Sequence, residues 1–231
     1  MSPIPPEHGG TRRSVKSLVP PGVYAPQEDT ELLAGALVEE PVPPGADVLD
    51  VGTGSGALAV TAARRGSRVT AVDVSWRAVC ATRLNALRAG VPVRVRQGNL
   101  FDPVRGRSFD LILANPPYVP APDGRGRPRG AARAWDAGGD GRLVLDRICR
   151  EAPALLRPGG VVLLVQSALS GPEQTLGRLR TAGMKAAVTR RRRIAFGPVL
   201  RDREVWLRER GLLPAADNEE ELVVVRAELP V

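Results

Sequence analysis

Short apolar runs alternate with stretches of helical spacing through the middle of this chain, and that alternation constrains the fold more than any other feature. The runs are Asp47–Val51, Arg68–Asp73, 91–97, Phe109–Ala114 and 161–166. Helices are expected around 56–65, 76–89, 140–156 and 172–182. Another is expected over 28–40, with Leu32, Leu33, Ala36 and Leu37 on one face and Pro41 ending it. Runs this uniformly apolar have no face to give to water, so they predict a parallel sheet covered on both sides. The alternation then breaks. Lys185–Ala195 and 221–228 read as strands with only a helical segment near 202–210 between them, which predicts an antiparallel pair finishing one edge. The expected fold is α/β: a doubly wound, mostly parallel, seven-stranded Rossmann-like sheet with an antiparallel C-terminal strand. Residues 1–22, rich in Pro and Gly, are expected to form a flexible tail ahead of one domain over 23–231.

Residue supply excludes several chemistries. The chain has one histidine, His8, and two cysteines, Cys80 and Cys149, so neither a histidine-rich nor a Cys-x-x-Cys metal site can be assembled, and no metal is expected. A Ser-His-Asp triad would depend on His8, inside the Pro/Gly-rich tail. Two distant cysteines make no disulfide framework, which points to a reducing cytoplasm. Apolar runs such as Val161 to Val165 are far shorter than the roughly 20 residues of a membrane helix, and the N-terminus lacks a secretory h-region. A cytoplasmic protein without membrane attachment is expected. Net charge is +8, which favours acidic or nucleic-acid partners. Only Lys16 and Lys185 are lysine, however, and GC-rich coding raises arginine in the same way, so charge alone identifies no partner.

Asp50-Val-Gly-Thr-Gly-Ser-Gly56 follows the first strand and opens a helix, where an open α/β sheet binds its ligand. Gly52, Gly54 and Gly56 allow the tight turn, although their spacing is not that of dinucleotide folds. Asp73 ends the second strand about twenty residues on, where a carboxylate can take ribose hydroxyls. After the third strand, Asn99 could bond the exocyclic amine of an adenine while Leu100 covers the ring; a plain turn with Phe101 in the core fits the same residues.

Asn115-Pro-Pro-Tyr118 directly follows the fourth strand and is the most specific signal in the chain. Two prolines stiffen the loop and remove two backbone donors. The Asn115 side-chain oxygen and the Pro116 carbonyl remain as acceptors, and Tyr118 adds a flat aromatic face. Such a set suits a planar, conjugated NH2 group, whose nitrogen reacts once oriented in line with an electrophile.

In that order, Asp50 to Gly56, Asp73, Asn99-Leu100 and Asn115 to Tyr118 resemble the motifs of class I S-adenosylmethionine-dependent methyltransferases. Val23-Tyr-Ala-Pro-Gln-Glu-Asp-Thr-Glu-Leu-Leu33 and Ala134-Trp-Asp-Ala-Gly-Gly-Asp-Gly-Arg142, with Leu155 to Gly160, are similar to segments of the short HemK-type protein-glutamine methyltransferases. The resemblance implies S-adenosylmethionine as cofactor, with S-adenosylhomocysteine as product. It implies cofactor contacts at Thr30, Asp50, Gly52, Gly54, Gly56, Asp73, Asn99, Leu100 and Asn115, and a target amide held by Asn115, Pro116 and Tyr118. Pro117 and the arginines of the following stretch, Arg125, Arg127, Arg129 and Arg133, are expected to face the substrate. The chain departs from the family at Asn99, where aspartate is frequent. The helical N-terminal domain of the longer bacterial members is not expected here, and neither the 125–133 stretch nor the insert over 195–218 matches a family hallmark.

The leading expectation is N5-methylation of a glutamine in a protein such as a peptide chain release factor, with a small activating subunit as a further expected partner. The runner-up is N6-methylation of adenine in RNA or DNA, since adenine also presents a planar NH2. A third reading, from a different class, is a non-catalytic S-adenosylmethionine-binding scaffold that holds RNA on its basic surface. Asn115 and Tyr118 occurring together argue against it, since a scaffold needs neither.

Overall fold

Seven strands hydrogen-bond in the order β3-β2-β1-β4-β5-β7-β6 in a computed structural model that describes residues 17–122, 135–214 and 217–231. β1 (Asp47–Val51), β2 (Arg68–Asp73), β3 (Val93–Gln97), β4 (Phe109–Ala114) and β5 (Leu156–Ser167) run parallel. β7 (Glu219–Glu228) then inserts antiparallel between β5 and β6 (Lys185–Ala195). Every residue of β1 after Asp47 is buried, as are the last four of β4 and the last eight of β5. Successive side chains on a strand point to opposite faces, so such unbroken burial requires cover on both. Helices α1 (Glu28–Glu39), α2 (Ala57–Arg64) and α3 (Trp76–Arg88) pack side by side as one layer, and α4 (Leu145–Glu151) with α5 (Pro172–Thr181) forms another. The core between them is aliphatic, with Phe101 and Phe109 as its large rings. The expected seven-stranded sheet is the one observed.

Several element boundaries differ from the sequence expectation, those of α4 and β5 for local reasons. The helix expected over 140–156 is cut short. Gly141 takes a left-handed φ of +73° and its Cα lies too close to the Tyr118 carbonyl for any side chain, so helix begins only at Leu145. Pro153 then converts the last turn to a 3-10 helix over Ala152–Leu155. β5 in turn starts at Leu156, because Gly160 lets the backbone pass Phe109, with a register shift between Phe109 and Leu111. In the β6–β7 connection lies a further helix, α6 (Pro198–Glu209), which begins with Pro at its first position after Gly197.

The two ends of the parallel strands do different work. At their N-terminal ends Arg157 bonds both Asp47 and Asp110 at 2.7 Å, and Arg68 also pairs with Asp47, tying β1, β2, β4 and β5 together. The paired guanidiniums hold the Asp47 carboxyl far below its ordinary range. The C-terminal ends open into loops and carry the candidate site. No helix among the described residues is long and apolar enough to cross a membrane.

Candidate active site

A cavity of about 870 Å³ lies over the C-terminal ends of β1, β2, β3 and β4, lined among others by Thr30, Gly54, Asp73, Leu100, Asn115 and Tyr118. This is the crevice in which doubly wound sheets take their ligands. Gly52 and Gly54, at φ +72° and +56°, form its floor, and a Cβ on Gly52 would meet nothing within 4 Å, so the turn leaves open space above its backbone. Asp73 accepts from the Gly54 N–H at 2.9 Å and the Ser75 N–H at 2.8 Å. One carboxylate thus joins the glycine turn to the start of α3, while each oxygen keeps a lone pair for another donor. Burial raises its pKa despite these bonds.

Asp50 lies beneath the floor. Its Oδ2 accepts from the Thr53 hydroxyl at 2.6 Å and the Ala59 N–H at 3.1 Å, whereas its buried Oδ1 has no partner. Burial pushes this carboxyl up to about 6. Leu100 is the one non-glycine residue with positive φ, +52°, among the described residues. Left-handed backbone is costly for a γ-branched side chain, and such strain collects at ligand sites. Leu100 lines the cavity and Phe101 is fully buried, so one turn serves both pocket and core. Gly56 stands apart from the other glycines. It does not line the cavity, and a Cβ there would meet Thr82 at 2.8 Å, so it is a packing glycine between α2 and α3.

At the other end, the Asn115 side-chain NH2 donates to the Thr30 hydroxyl at 3.2 Å, and that hydroxyl donates to Asp29 at 3.1 Å. This chain of bonds sets the amide's orientation, and no donor among the described residues takes the Asn115 Oδ1. Pro116 and Pro117, both lining the cavity, offer no N–H beside it. Tyr118 is nearly buried and donates to Asp29 Oδ2 at 3.1 Å; Tyr24, from the segment before α1, donates to the same oxygen at 2.8 Å. These are the only tyrosines in the chain, and both converge on Asp29. Burial and the Asp29 charge raise both phenols well above their ordinary pKa, so they remain donors at any working pH. Glu220, at the start of β7, is buried nearby with Oε1 unpartnered, and burial pushes its pKa up to about 7. Sequence reasoning missed Asp29 and Glu220. Asp29 had one available signal, its place between the only two tyrosines' loops; Glu220, inside an acidic run, had none.

The wall beyond Tyr118 is built from two backbone segments. Val119 N–H bonds Trp135 O, Ala137 N–H bonds Val119 O, and Ala121 N–H bonds Gly138 O. Trp135 and Asp136 face the cavity, and Trp76 at 61% exposure and Leu143 at 53% stand at its mouth. Pro21 to Tyr24 forms the wall over the glycine turn, and Asn85 bonds both the N–H and the carbonyl of Leu18 at 2.8 Å. Arg125, Arg127, Arg129 and Arg133 lie outside the described residues. No group of metal-ligating side chains occurs among the described residues.

Comparison with known proteins agrees with this architecture. Residues 15–125 match the methyltransferase small domain family. The chain is 36% identical over 183 residues to a Methanocaldococcus jannaschii protein assigned as a protein N5-glutamine methyltransferase, covering 79% of this chain and 91% of the relative. It is 36% identical over 173 residues to the release factor glutamine methyltransferase of Geobacter sulfurreducens, but that match covers 72% of this chain and only 60% of the relative. Among solved structures, the E. cuniculi Mtq2-Trm112 complex, responsible for methylation of the eRF1 translation termination factor, superposes with a TM-score of 0.63 at 24% identity, over 90% of this chain and 99% of that one.

Proposed function

Because the chain belongs to the class I methyltransferase family that includes the protein N5-glutamine methyltransferases, we propose that it methylates the side-chain amide of a glutamine in a translation release factor, using S-adenosylmethionine. The observation that carries the proposal is the bonding of Asn115: its NH2 is taken by Thr30, so its oxygen is the group left to accept from a substrate N–H.

The cavity suits the cofactor chemically. Asp73 would take the ribose hydroxyls with its remaining lone pairs, Asn99 and Leu100 would hold the adenine, and the open space over Gly52 admits the backbone-hugging amino-acid end. Asp50 does not line the cavity, but its buried, unpartnered Oδ1 would accept from an ammonium or an ordered water at that end. When bound, S-adenosylmethionine supplies a methyl group on a cationic sulfur and leaves as S-adenosylhomocysteine.

Asn115 Oδ1 and the Pro116 carbonyl then accept the two N–H bonds of the target amide, and Tyr118 bounds its plane. Two acceptors suit a carboxamide and reject a carboxylate, which has no N–H to offer. The prolines prevent the loop from presenting a competing donor. Asp29, through Thr30 and both tyrosines, holds the acceptors in place before substrate arrives, and such preorganisation supplies the rate. No side chain has to remove the amide proton before attack, since the cationic product nitrogen is acidic and loses it to water.

The proposed compartment is the cytoplasm, where release factors act. A small partner subunit, by analogy with the E. cuniculi complex, is also proposed. Activity of the purified chain alone, compared with chain co-purified from its host, tests the subunit. The acceptor is tested by incubating the full chain with labelled cofactor, a release factor and total RNA. Label on one glutamine of the release factor, lost on its replacement by glutamate and weak with asparagine, is the expected result. Label only on adenine N6 would overturn the proposal, and no transfer to either would favour a scaffold.

A further inference from the structure

From the insert between β6 and β7, one side chain reaches the wall of the candidate site through polar bonds to two separate segments. Arg203, on α6, donates from Nη1 to the Pro120 carbonyl at 2.9 Å and pairs through Nη2 with the Asp136 carboxylate. Both ion-pair partners are only 17% exposed. Pro120 and Asp136 belong to the two segments that pair beyond Tyr118, one leaving the Asn-Pro-Pro-Tyr loop and the other leading to Trp135 and the mouth of the cavity. The segment-to-segment hydrogen bonds of Val119, Ala121 and Ala137 do not use the Pro120 carbonyl, which among the described residues accepts from Arg203 alone. A planar guanidinium with a fixed fork of donors is suited to bridge a carbonyl and a carboxylate at once. The contact lies on the acceptor side: among the described residues no hydrogen bond or ion pair joins α6 to the glycine turn, Asp73 or Leu100.

We propose that Arg203 is a positioning residue for the methyl acceptor, clamping the Pro120 and Asp136 segments so that the wall made by Tyr118, Val119, Trp135 and Asp136 is preformed. It gives the insert a role in acceptor recognition. The consequence for catalysis rests on the proposed protein acceptor; the clamp itself does not.

Two measurements on the full chain keep these separate. Amide hydrogen exchange reads the clamp without any acceptor. Arg203→Ala should speed exchange at Val119, Ala121 and Ala137 by roughly tenfold or more, the scale of one lost charge-assisted bond, while β1 and β4 amides stay protected. Kinetics read the consequence. Arg203→Ala should raise KM for the release factor by about tenfold, change kcat by less than about threefold, and leave S-adenosylhomocysteine affinity by calorimetry unaltered. Arg203→Lys should recover part of the loss, because an ammonium reaches one partner but not both. Asp136→Asn should add little to Arg203→Ala, since paired residues are not additive. Unchanged exchange at the three amides would overturn the clamp. A cofactor affinity that falls as far as acceptor KM rises would overturn its placement on the acceptor side. If wild type methylates no release factor, the acceptor assignment fails and the exchange result still decides the clamp.

Discussion

Asn115, Thr30 and Asp29 act as a relay in which each side chain orients the next. Asn115→Ala removes a preorganised acceptor and is expected to lower turnover by about 100-fold or more. Thr30→Ala tests the orientation itself: the Asn115 amide then lacks its acceptor and can rotate. It should lose turnover too, by a smaller factor, with the glutamine site still recognised; equal activity in steady-state assays would make the Asn115–Thr30 bond incidental. Asp73 carries a different load. Its carboxylate supports the Gly54 turn and would also take the ribose, so Asp73→Ala is expected to weaken cofactor binding about tenfold or more by calorimetry. Asp73→Asn, which can still accept from Gly54 through its remaining oxygen, should lose less than Asp73→Ala.

At the scale of elements, α1 and β7 converge under the Asn-Pro-Pro-Tyr loop with more acid than base. Asp29, on the first turn of α1, satisfies two buried phenols, so Asp29→Ala strands both hydroxyls at roughly 1 to 3 kcal/mol each and should lower the melting temperature by several degrees. Glu220, on β7, is buried beside Asp29, Tyr24 and Tyr118, and a hydrogen bond from Ser167 only partly offsets that burial. Its ordinary pKa of 4.5 is raised to about 7, so between those values the folded chain keeps a proton that the unfolded chain has released. Stability from this group is present below about 4.5 and is lost as pH rises through about 7. Glu220→Gln carries no such proton, so its melting temperature should gain on the parent's between pH 4.5 and 8. A constant difference across that range in thermal melts would remove Glu220 from the account.

At the scale of the whole molecule, the charge of +8 and the cleft lie on one chain, and their coupling is measurable. Arg125, Arg127, Arg129 and Arg133 follow the reactive loop in sequence, and we assign them to the substrate side. Neutralising all four should raise acceptor KM and flatten its dependence on salt, leaving cofactor affinity alone. An equal effect on cofactor binding would contradict the assignment. The chain spans about 60% of the length of the bacterial relative from Geobacter, against nine-tenths of the archaeal one. The segment that matches the methyltransferase small domain, residues 15–125, spans β1 to β4 with the glycine turn, Asp73 and the Asn-Pro-Pro-Tyr loop.

The chain's local chemistry already determined the strands, the glycine turn, Asp73 and the Asn-Pro-Pro-Tyr loop. Uniform apolar runs must be buried on both faces, left-handed turns need glycine, and consecutive prolines cannot donate; each is a property of a few adjacent residues. Tertiary structure alone decided what holds those pieces in place. Asp29 and Tyr118 are 89 positions apart, Asn115 and Thr30 85, and Arg203 and Pro120 83. No spacing rule operates at such distances; the contacts exist because the sheet brings the loop after β4, the first turn of α1 and the helix after β6 to one edge. Gly56 shows the same division in one residue. Its place in the motif suggested a cofactor contact, whereas its neighbour Thr82, 26 positions on, made it a packing site, because close approach between helices is a fact of the fold and not of the motif.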